Sequence, residues 1–575
     1  MKSLNAKINW RVIFPYLLIV GLSMLIMIPQ WIANSAYVGI DSLFHMNRFY
    51  DAMMQIKTGS YSYFQSFFGF GQSGRVVNAV YGPLFAYLNG LLLLITKNWV
   101  RYQIVSSVIL LIVSGALMYH LSIKNNVRKS WSVLISICYM FSTPILYWIN
   151  GQQFTAWGAA FVPLVMLCGT EMMRNHQIKW IKLSLSMTLV LEVHNATSAI
   201  CAMALIPFFV TGWLTTNHRK QMSIDLLKAI GLTLLLSFNM WGAMLELFSS
   251  NHLLPVFPDT HLAQDTLHFL SGTTRLGNST LIIFIMALVY LIVKWRQMEL
   301  ATRVIILNGL FFLWIPTSFF PWALLSKLVP AVDSVIQNPI RFLVIPYVLL
   351  YLAVGIMLSD QSIKWPRILV TTLIGLIMLL AIGKCLVHLR YKNTVFNSEQ
   401  VLISKRNTHV TTNDPNKLRA ALRSDNPQTI LRLATKSTPD YMPVKRKISV
   451  FDYGAFHPYL KYRKAVIMPN LKAKWRRVKN GVMTVEWVNH SNQNRAHKLP
   501  VAKYTHSIVT LNGKQLNRVK ITSIGTMIIN GKPGVNRLTI RYQSAGWFRV
   551  LIWVSIISWL VLIGDGIRRL VKKLN

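Results

Sequence analysis

The sequence predicts a polytopic α-helical membrane protein that carries an extracytoplasmic β-sandwich-like domain before its last span. Three observations predict this class. The 575 residues are 53% hydrophobic, and apolar runs of about 20 residues, the length that crosses a bilayer as a helix, recur from end to end. Before the last of these runs, residues 388–546 show short alternating segments broken by turn residues. We therefore divide the chain into a membrane domain at 1–387, an outer domain at 388–546 and a last span with a basic tail at 547–575.

The first predicted span, 13–33, follows Lys2, Lys7 and Arg11, which the positive-inside rule places in the cytoplasm. No small-residue cleavage site follows this run, so we predict an uncleaved span and not a signal peptide. Segment 181–194 is too short to cross unaided, and we expect an embedded or broken helix there. The other predicted spans are 102–121, 131–149, 155–172, 196–214, 226–248, 279–294, 304–321, 340–358, 367–387 and 547–564. This makes about twelve spans, with both termini cytoplasmic and residues 388–546 extracytoplasmic.

A long outer loop, 34–100, follows the first span and ends in an apolar run at 79–96 whose placement decides the topology. If this run crosses the membrane, Lys124, Arg128 and Lys129 fall outside and every later basic loop is inverted. If it lies in the interface as a shallow helix, the basic loops fall inside; these are 124–129, 174–182, 218–220, 294–303, 364–367 and 568–573. We adopt the second option because it agrees with the positive-inside rule.

The outer domain is predicted to be β-rich, and it is strongly basic. Its predicted strands are Thr429–Ala434, Lys447–Tyr453, Val482–Val488, Ser507–Leu511, Val519–Ile524 and Leu538–Tyr542, with hairpin turns at Asn512-Gly513 and Asn530-Gly531. Residues 388–545 hold 29 Lys and Arg against 6 Asp and Glu, a net charge of +23 within the +42 of the whole chain. Such a surface would attract anionic lipid or an anionic wall polymer. An outer location argues against nucleic acid, and solubility in a basic proteome is the alternative explanation.

The stretch from Gly39 to Phe49, just beyond the first span, contains the main candidate for chemistry. If a helix begins after Asp41, then Asp41, His45 and Arg48 are at i, i+4 and i+7 and share one face. A carboxylate, an imidazole and a guanidinium together can accept a proton and hold an anionic group, as transfer from a phosphate-linked donor requires. The alternative is that Asp41 is only the N-cap of a surface helix whose other residues are solvated.

Ionisable groups at the outer ends of spans are further candidates, because burying them in lipid is costly. Gln337 and Arg341 flank Pro339 at the start of the span at 340. Arg341 could hold a phosphate bidentately, or it could be only an interfacial anchor. Glu192 and His194 end the short segment 181–194. His194 could orient a substrate or a carboxylate, or it could be bonded to a neighbouring carbonyl.

Metal binding has weaker support in the sequence. The loop 249–278 has loose spacing for a metal site and could equally be an ordinary polar loop; its candidates are His252, Asp259, His261, Asp265 and His268. The four cysteines lie in or beside apolar runs with no spacing suited to metal and imply no disulfide framework; they are Cys138, Cys168, Cys201 and Cys385. The sequence leaves any metal ligand unknown and makes a divalent cation doubtful.

Four motifs together resemble bacterial multi-spanning proteins of the YfhO-like kind and those labelled "6-pyruvoyl-tetrahydropterin synthase-related". They are Gly39-Ile40-Asp41-x-x-Phe44-His45-x-x-Arg48, Tyr81-Gly82-Pro83-Leu84, His194-Asn195 and Gln337-x-Pro339-x-Arg341-Phe342. The resemblance runs from residue 1 to about 360 and, more weakly, through Ser437–Pro443. These families are similar to the GT-C glycosyltransferases. Nothing in the chain looks like a soluble pterin enzyme.

The resemblance implies a GT-C-like membrane domain and a polyprenyl-phosphate-linked sugar donor bound at the outer face of the membrane. It gives Asp41 the role of base or metal ligand and places Arg341 against the lipid phosphate. The substrate-binding residues would be His45, Arg48, His194, Gln337 and Arg341. The implied reaction is direct displacement at the anomeric carbon, with the acceptor hydroxyl deprotonated by Asp41.

One departure from the resemblance concerns a second carboxylate. Related chains often carry an acidic residue in the second outer loop, whereas this chain reads Asn150-Gly151-Gln152-Gln153-Phe154-Thr155. Asp51 is then a candidate second acid, and the protein either works without metal or has kept the fold without the activity. The leading expectation is a membrane glycosyltransferase, a hexosyltransferase, that modifies a cell-envelope polymer, lipid or protein. The alternatives are a non-catalytic assembly partner and a lipid-linked glycan transporter; the enzyme hypothesis requires Asp41, His194 and Arg341 to meet at one cavity.

Overall fold

The computed structural model describes residues 10–267, 276, 278–363, 366–402, 407–470 and 475–574, so Lys2, Lys7 and His268 lie outside the described residues. Helices form most of the membrane domain, part of the outer domain and the last span. In chain order they are α1 (Trp10–Ala33), α2 (Ser42–Thr58), α3 (Pro83–Thr96), α4 (Trp99–Lys124), α5 (Lys129–Met140), α6 (Thr143–Gly151), α7 (Thr155–Asn175), α8 (Trp180–Val193), α9 (Asn195–Thr215), α10 (Arg219–Leu236), α11 (Phe238–Ser250), α12 (Asn278–Lys294), α13 (Leu300–Trp314), α14 (Trp322–Leu328), α15 (Val332–Val335), α16 (Val344–Ser359), α17 (Arg367–Asn397), α18 (Pro415–Arg423), α19 (Gln428–Leu433), α20 (Tyr453–Phe456), α21 (Pro458–Tyr462), α22 (Met468–Asn470) and α23 (Gly546–Leu574). Short helical turns of other types lie at Phe70–Gln72, Asn78–Val80, Pro339–Leu343 and Arg463–Ile467.

Strands are confined to the first outer loop and the outer domain in the described part of the chain. They are β1 (Gln65–Ser66), β2 (Arg75–Val76), β3 (Thr408–Val410), β4 (Ala434–Lys436), β5 (Trp475–Lys479), β6 (Val482–Asn489), β7 (Arg495–Ala502), β8 (Ser507–Leu511), β9 (Lys514–Gln515), β10 (Lys520–Ile521), β11 (Thr526–Gly531) and β12 (Gly534–Tyr542).

Each predicted span overlaps a helix or a pair of consecutive helices, although α13 ends at Trp314, short of the predicted end at 321. The protein is therefore a polytopic α-helical membrane protein. Among the described residues, eight helices are long and apolar enough to cross a bilayer, and α10 with α11 forms a ninth candidate that is bent by 67°. The other three predicted spans are the shorter helices α8, α12 and α13. Helix α3 has 14 residues and is about 21 Å long, less than the ~30 Å of a hydrocarbon core. Its length is compatible with the predicted interfacial placement; the sidedness of the loops and termini stays a prediction.

The packing of the helices separates a buried centre from a lipid-facing periphery. Helix α16 is the most enclosed candidate span, with 89% of its apolar window buried, whereas only 6% of the window of α23 is buried. Exposed Leu, Ile and Trp side chains on such peripheral helices face lipid, where apolar exposure carries no cost. The turn Pro339–Leu343 leads directly into α16, so Arg341 is held at the end of the most enclosed helix.

The outer domain contains two antiparallel sheets packed face to face, as the predicted β-sandwich requires. One sheet has the strand order β5-β6-β12-β8-β9 and the other has the order β10-β11-β7. Their inner faces share one apolar core, which includes Val485 and Ile540 from the first sheet and Val501 and Ile529 from the second. Asn512-Gly513 joins β8 to β9 with both residues at positive φ, which confirms the predicted hairpin turn.

Several predicted details of the outer domain are wrong. Segment Thr429–Ala434 forms helix α19 and only then strand β4, and Lys447–Tyr453 forms loops and turns. Of Val519–Ile524 only Lys520–Ile521 pairs, and Asn530-Gly531 closes no hairpin because β11 and β12 belong to different sheets. Strands β5, β7 and β11 lie where no strand was predicted. Short β-branched segments do not distinguish strand from buried loop until their pairing partners are known.

The first outer loop and the outer domain are joined by buried polar contacts. Arg75 is fully buried, and its guanidinium donates to the backbone oxygens of Thr438 and, at 2.8 Å, of Asp440. The Tyr504 hydroxyl accepts from the Val76 amide at 2.9 Å and donates to the Tyr441 oxygen at 2.9 Å. These bonds hold segment 438–441 of the outer domain against the loop that follows the first span.

Candidate functional site

A cavity of about 520 Å³ lies where the first outer loop, the helix bundle and the outer domain meet. Five of the six predicted site residues line it, namely Asp41, His45, His194, Gln337 and Arg341. The other lining residues with polar side chains are Tyr81, Asn195, Ser334, Asn407, Lys436, Thr438, Asp440, Tyr441 and Tyr459. The meeting of Asp41, His194 and Arg341 that the enzyme hypothesis requires is therefore present in the fold.

Asp41 is positioned by a close backbone contact between two loops. Gly39 packs so tightly that an added Cβ would lie 2.4 Å from the Gly151 Cα, which only glycine permits. The Asp41 amide donates to the Gly151 oxygen at 3.4 Å. Asp41 occupies the N-cap position of α2, yet its carboxylate makes no capping hydrogen bond. The alternative interpretation of Asp41 as a helix cap therefore agrees with its position before α2. It does not explain the Asp41 side chain, which lines the cavity and caps nothing.

The cavity contains a second carboxyl group, that of Asp440, which the sequence analysis did not predict. Burial raises the pKa of Asp440 to about 6; Arg75 acts against this rise, and the charge of Asp41 adds to it. Burial also raises the pKa of Asp41, against the opposing charges of Lys436 and Arg341. Each of the two carboxyl groups therefore takes up a proton more readily than an ordinary aspartate.

Asp440→Asn is expected to stabilise the protein more at pH 7.5 than at pH 4.5. The folded pKa of about 6 exceeds the unfolded value of about 3.9, so the folded state binds the proton more tightly and stability is lost as the pH rises between these values. The gain at pH 7.5 should exceed the gain at pH 4.5 by about 2 kcal/mol. Thermal unfolding of the purified protein at the two pH values measures it, with exposed Asp452→Asn as the control. An equal effect of Asp440→Asn at both pH values would contradict this titration.

Arg341 lines the cavity, and part of its guanidinium is used in hydrogen bonds within the protein. It donates from Nη1 to the Ile336 oxygen and from Nη2 to Gln337 Oε1, both at 3.0 Å. Gln337 sits at φ +57°, and its Nε2 donates to the Phe257 oxygen at 2.8 Å, so the acceptor that holds Arg341 is itself held. A guanidinium has five N–H donors, and those left over suit a bidentate oxyanion.

The two histidines of the cavity are oriented by their Nδ1 atoms. The His45 ring stacks on Phe154 with centroids 4.3 Å apart, and its Nδ1 lies 3.2 Å from Arg48 Nη1, which can only donate. The Nδ1 of His194 accepts from the Thr197 amide at 3.3 Å and so caps α9. Accepting at Nδ1 leaves the proton on Nε2 in each neutral ring. Burial and the nearby Arg48 charge lower the pKa of His45 well below its ordinary value, so His45 serves as a neutral donor.

Arg48 differs from the other five predicted site residues because it is not part of the cavity wall. It is fully buried, and its Nε donates to Asn78 Oδ1 at 3.0 Å. Its Nη2 donates to the Tyr81 backbone oxygen, and its guanidinium lies 4.4 Å from the centre of the Tyr81 ring. Arg48 holds the turn before α3 and the imidazole of His45, and its predicted contact with substrate stays a prediction.

Two other acidic candidates, Asp51 and Glu192, have their carboxylates hydrogen-bonded within the protein. Asp51, considered as a second acid, accepts from the amides of Phe68 and Gly69 at 2.8 and 3.0 Å and from Gln55 Nε2 at 2.8 Å. Glu192 accepts from Asn239 Nδ2 at 2.6 Å. Both carboxylates therefore tie neighbouring segments together and do not line the cavity.

The described residues contain no group of three or more His, Cys, Asp or Glu side chains that could hold a metal ion. This includes the described part of loop 249–278, with His252, Asp259, His261 and Asp265. Asp41 and Asp440 supply two carboxylates in one cavity, fewer protein ligands than a dedicated all-protein cation site uses. We therefore derive no chemical step through a cation.

An apolar groove of about 460 Å³ adjoins the cavity within the helix bundle. It lies among α7, α8, α9, α10 and α11, and nearly all of its lining side chains are apolar. Asn195 and Ala199 line both the groove and the cavity. The Oδ1 of Asn195 is buried and has no hydrogen-bond partner among the described residues. The polar cavity and the apolar groove are therefore neighbours that meet at these two residues of α9.

No family model and no curated protein matches the chain, so the resemblance to YfhO-like proteins stays an expectation. Among solved structures, the chain is similar to the arabinofuranosyltransferase AftD from Mycobacteria, with 13% sequence identity and a TM-score of 0.39. The match covers 65% of this chain and 26% of AftD, so the chain spans about a quarter of its neighbour's length. A likeness at this level carries no argument about the activity of this chain.

Proposed function

We propose that the protein is a membrane glycosyltransferase that takes a sugar from a polyprenyl-phosphate-linked donor and transfers it to an acceptor of the cell envelope. The observation that supports this proposal is that a polar cavity and an apolar groove lie side by side and share the lining residues Asn195 and Ala199. A ligand that fills both parts has a polar, anionic head and a long apolar tail. A sugar joined through phosphate to a polyprenyl chain has this form.

The head of such a donor suits the charges of the cavity. Arg341 has N–H groups beyond its two internal bonds, and Lys436 lines the same wall. Both are cations that can face the phosphate, and charge-assisted hydrogen bonds to oxyanions are among the stronger ones in proteins. The sugar hydroxyls would meet the side chains of His194, His45 and Asn195.

The reaction follows from the placement of Asp41. The acceptor oxygen attacks the anomeric carbon as its proton passes to the Asp41 carboxylate, and the bond between that carbon and the phosphate oxygen breaks. The bonding electron pair leaves with the polyprenyl phosphate, whose added charge Arg341 and Lys436 stabilise. Burial makes Asp41 a stronger base than an exposed aspartate, which favours the proton transfer.

Ala202→Phe is expected to raise the KM for a long-chain donor about tenfold, because it narrows the groove and removes one to two kcal/mol of apolar contact. Ala202 lines the groove on α9 and is exposed. The measurement is transfer of radiolabelled sugar by the purified protein, using a long polyprenyl-phosphate donor and a farnesyl-length one. The short donor should be used equally well by wild type and variant.

Met203→Phe is the matched control, since Met203 is the next residue, is 42% exposed and does not line the groove. Equal effects of the two substitutions would refute the assignment of the groove to the donor's tail. Transfer from neither donor by the wild type would refute the enzymatic function itself.

A further inference from the structure

A second polar cavity, of about 420 Å³, lies beside the first on the side of the outer domain. Its wall is formed by α2, by the loop around Phe68–Gln72 and by the outer-domain elements α19, β4 and β5. The side chains that matter for recognition are Tyr50, Phe70, Gln428, Arg432, Thr435 and Arg476. No Asp or Glu is among the described residues that line it.

Arg476 is the unusual feature of this second cavity. Its Nη1 donates to the Gly71 oxygen at 2.6 Å, but its Nε and Nη2 are buried and have no hydrogen-bond partner within the described ranges. Burial lowers the pKa of Arg476 to about 10, which leaves it charged at neutral pH. A buried cation with two unmet donors is costly unless an anion meets it. Arg432, an exposed residue of the same wall, adds a second positive charge.

The rest of the wall suits a saccharide better than a small inorganic anion. Tyr50, Phe68 and Phe70 present aromatic side chains, against which the C–H faces of a sugar ring can pack. Gln428 and Thr435 supply amide and hydroxyl groups that can bond to sugar hydroxyls. The combination of aromatic faces, neutral polar groups and a guanidinium with two donors unmet by the described residues fits a sugar unit that bears an acidic group.

The second cavity is separated from the first by one layer of side chains. Phe44 lines the first cavity and Phe70 the second, and their ring centres are 5.7 Å apart. The adjacent residues Lys436 and Thr435 of β4 likewise line the first and the second cavity. A ligand held at Arg476 is therefore close to the site that contains Asp41.

We propose that the second cavity binds an acidic saccharide unit of the acceptor polymer, with its carboxylate or phosphate paired to Arg476. The inference rests on the proposed function and deepens it, because it names the chemical class of the acceptor. The net charge of +23 on residues 388–545 draws such a polyanion to the outer domain, and the cavity selects one unit of it.

Binding is tested with the full chain in nanodiscs of neutral lipid, with Asp41→Asn as the background so that binding is measured without turnover. The probes are tetragalacturonate and its methyl ester, which has the same rings without the charges, and the readout is isothermal titration calorimetry. Arg476→Gln is expected to weaken binding of the acid about tenfold, the value of one charge-assisted hydrogen bond. The ester should bind weakly to every variant.

Arg477→Gln is the matched control, because Arg477 is the next residue of β5, is exposed and points to the opposite face of the strand. It should change binding by no more than about twofold. Arg432→Gln, an exposed substitution in the cavity wall, should weaken binding measurably and serves as the second variant if Arg476→Gln fails to fold.

Three results would overturn the proposal. The first is an equal loss of affinity for the acid in Arg476→Gln and Arg477→Gln, which would show that only the overall positive charge of the domain matters. The second is equal binding of the acid and its ester. The third is a response only to anionic phosphatidylglycerol added to the nanodiscs, which would make the ligand a lipid headgroup. These measurements need no sugar transfer. The binding proposal can therefore be confirmed while the glycosyltransferase function is refuted, and it can be refuted while that function is confirmed.

Discussion

Asp41→Asn is expected to lower sugar transfer by about 10²- to 10⁴-fold, the usual contribution of a general base. The amide keeps the size of the side chain but cannot take the acceptor proton. Because the Asp41 side chain caps nothing in α2, folding should be unaffected. The measurement is incorporation of labelled sugar from a polyprenyl-phosphate donor into the cell envelope, with wild type and variant at equal expression.

The control for this substitution is Asp425→Asn, which changes an exposed aspartate of the outer domain that does not line the cavity. It should transfer like the wild type. Undiminished transfer by Asp41→Asn would remove Asp41 from the chemistry. Absence of transfer by the wild type in every donor tried would favour the alternative of a non-catalytic assembly partner.

Arg341→Gln is expected to reduce kcat/KM by about 100-fold or more, mainly through kcat. Glutamine cannot form the two charge-assisted bonds that stabilise the leaving phosphate, and each such bond contributes about 1.5–3 kcal/mol. The charge on the bridging oxygen grows as the bond breaks, so the loss is larger in the transition state than in the bound donor. Arg341→Lys retains the charge without the planar fork. Its kcat/KM should lie between those of the wild type and Arg341→Gln.

Single-turnover transfer by the purified protein separates the effect of Arg341→Gln on the chemical step from its effect on donor binding. Arg101→Gln is the matched control, since Arg101 is exposed at the first turn of α4, outside the cavity lining. If Arg341→Gln transfers as fast as Arg101→Gln, Arg341 is only the interfacial anchor that the sequence also allowed.

Much of the cavity could be anticipated from the chain because its residues stand at places where polar groups are costly. Asp41 follows an apolar run, His194 ends one and Arg341 begins one. Asp440 was not anticipated as a site residue, since about 400 residues separate it from Asp41. The one signal that pointed to it was the weak resemblance through Ser437–Pro443, which was not connected with the cavity.

The interpretation of Arg48 and Asp51 shows a different limit. Helical spacing correctly places Asp41, His45 and Arg48 on one helix, with α2 beginning after Asp41. Spacing does not tell which side-chain atoms are already bonded. Arg48 donates hydrogen bonds to Asn78 and Tyr81, and Asp51 accepts hydrogen bonds from two backbone amides. These bonds form only when the loop folds back on α2.

The membrane helices and the Asn512-Gly513 turn could be read from the chain alone, because hydropathy over a span and backbone preference at a turn are local properties. The sheet order, the helix at Gln428–Leu433 and the adjacency of cavity and groove at Asn195 could not. Each of these depends on contacts between segments that are distant in sequence, and their free energy has no counterpart in any local pattern. The same holds for the presence of Asp41 and Asp440 in one cavity wall, where bonds from Arg75 hold residues 438 and 440 against the first outer loop.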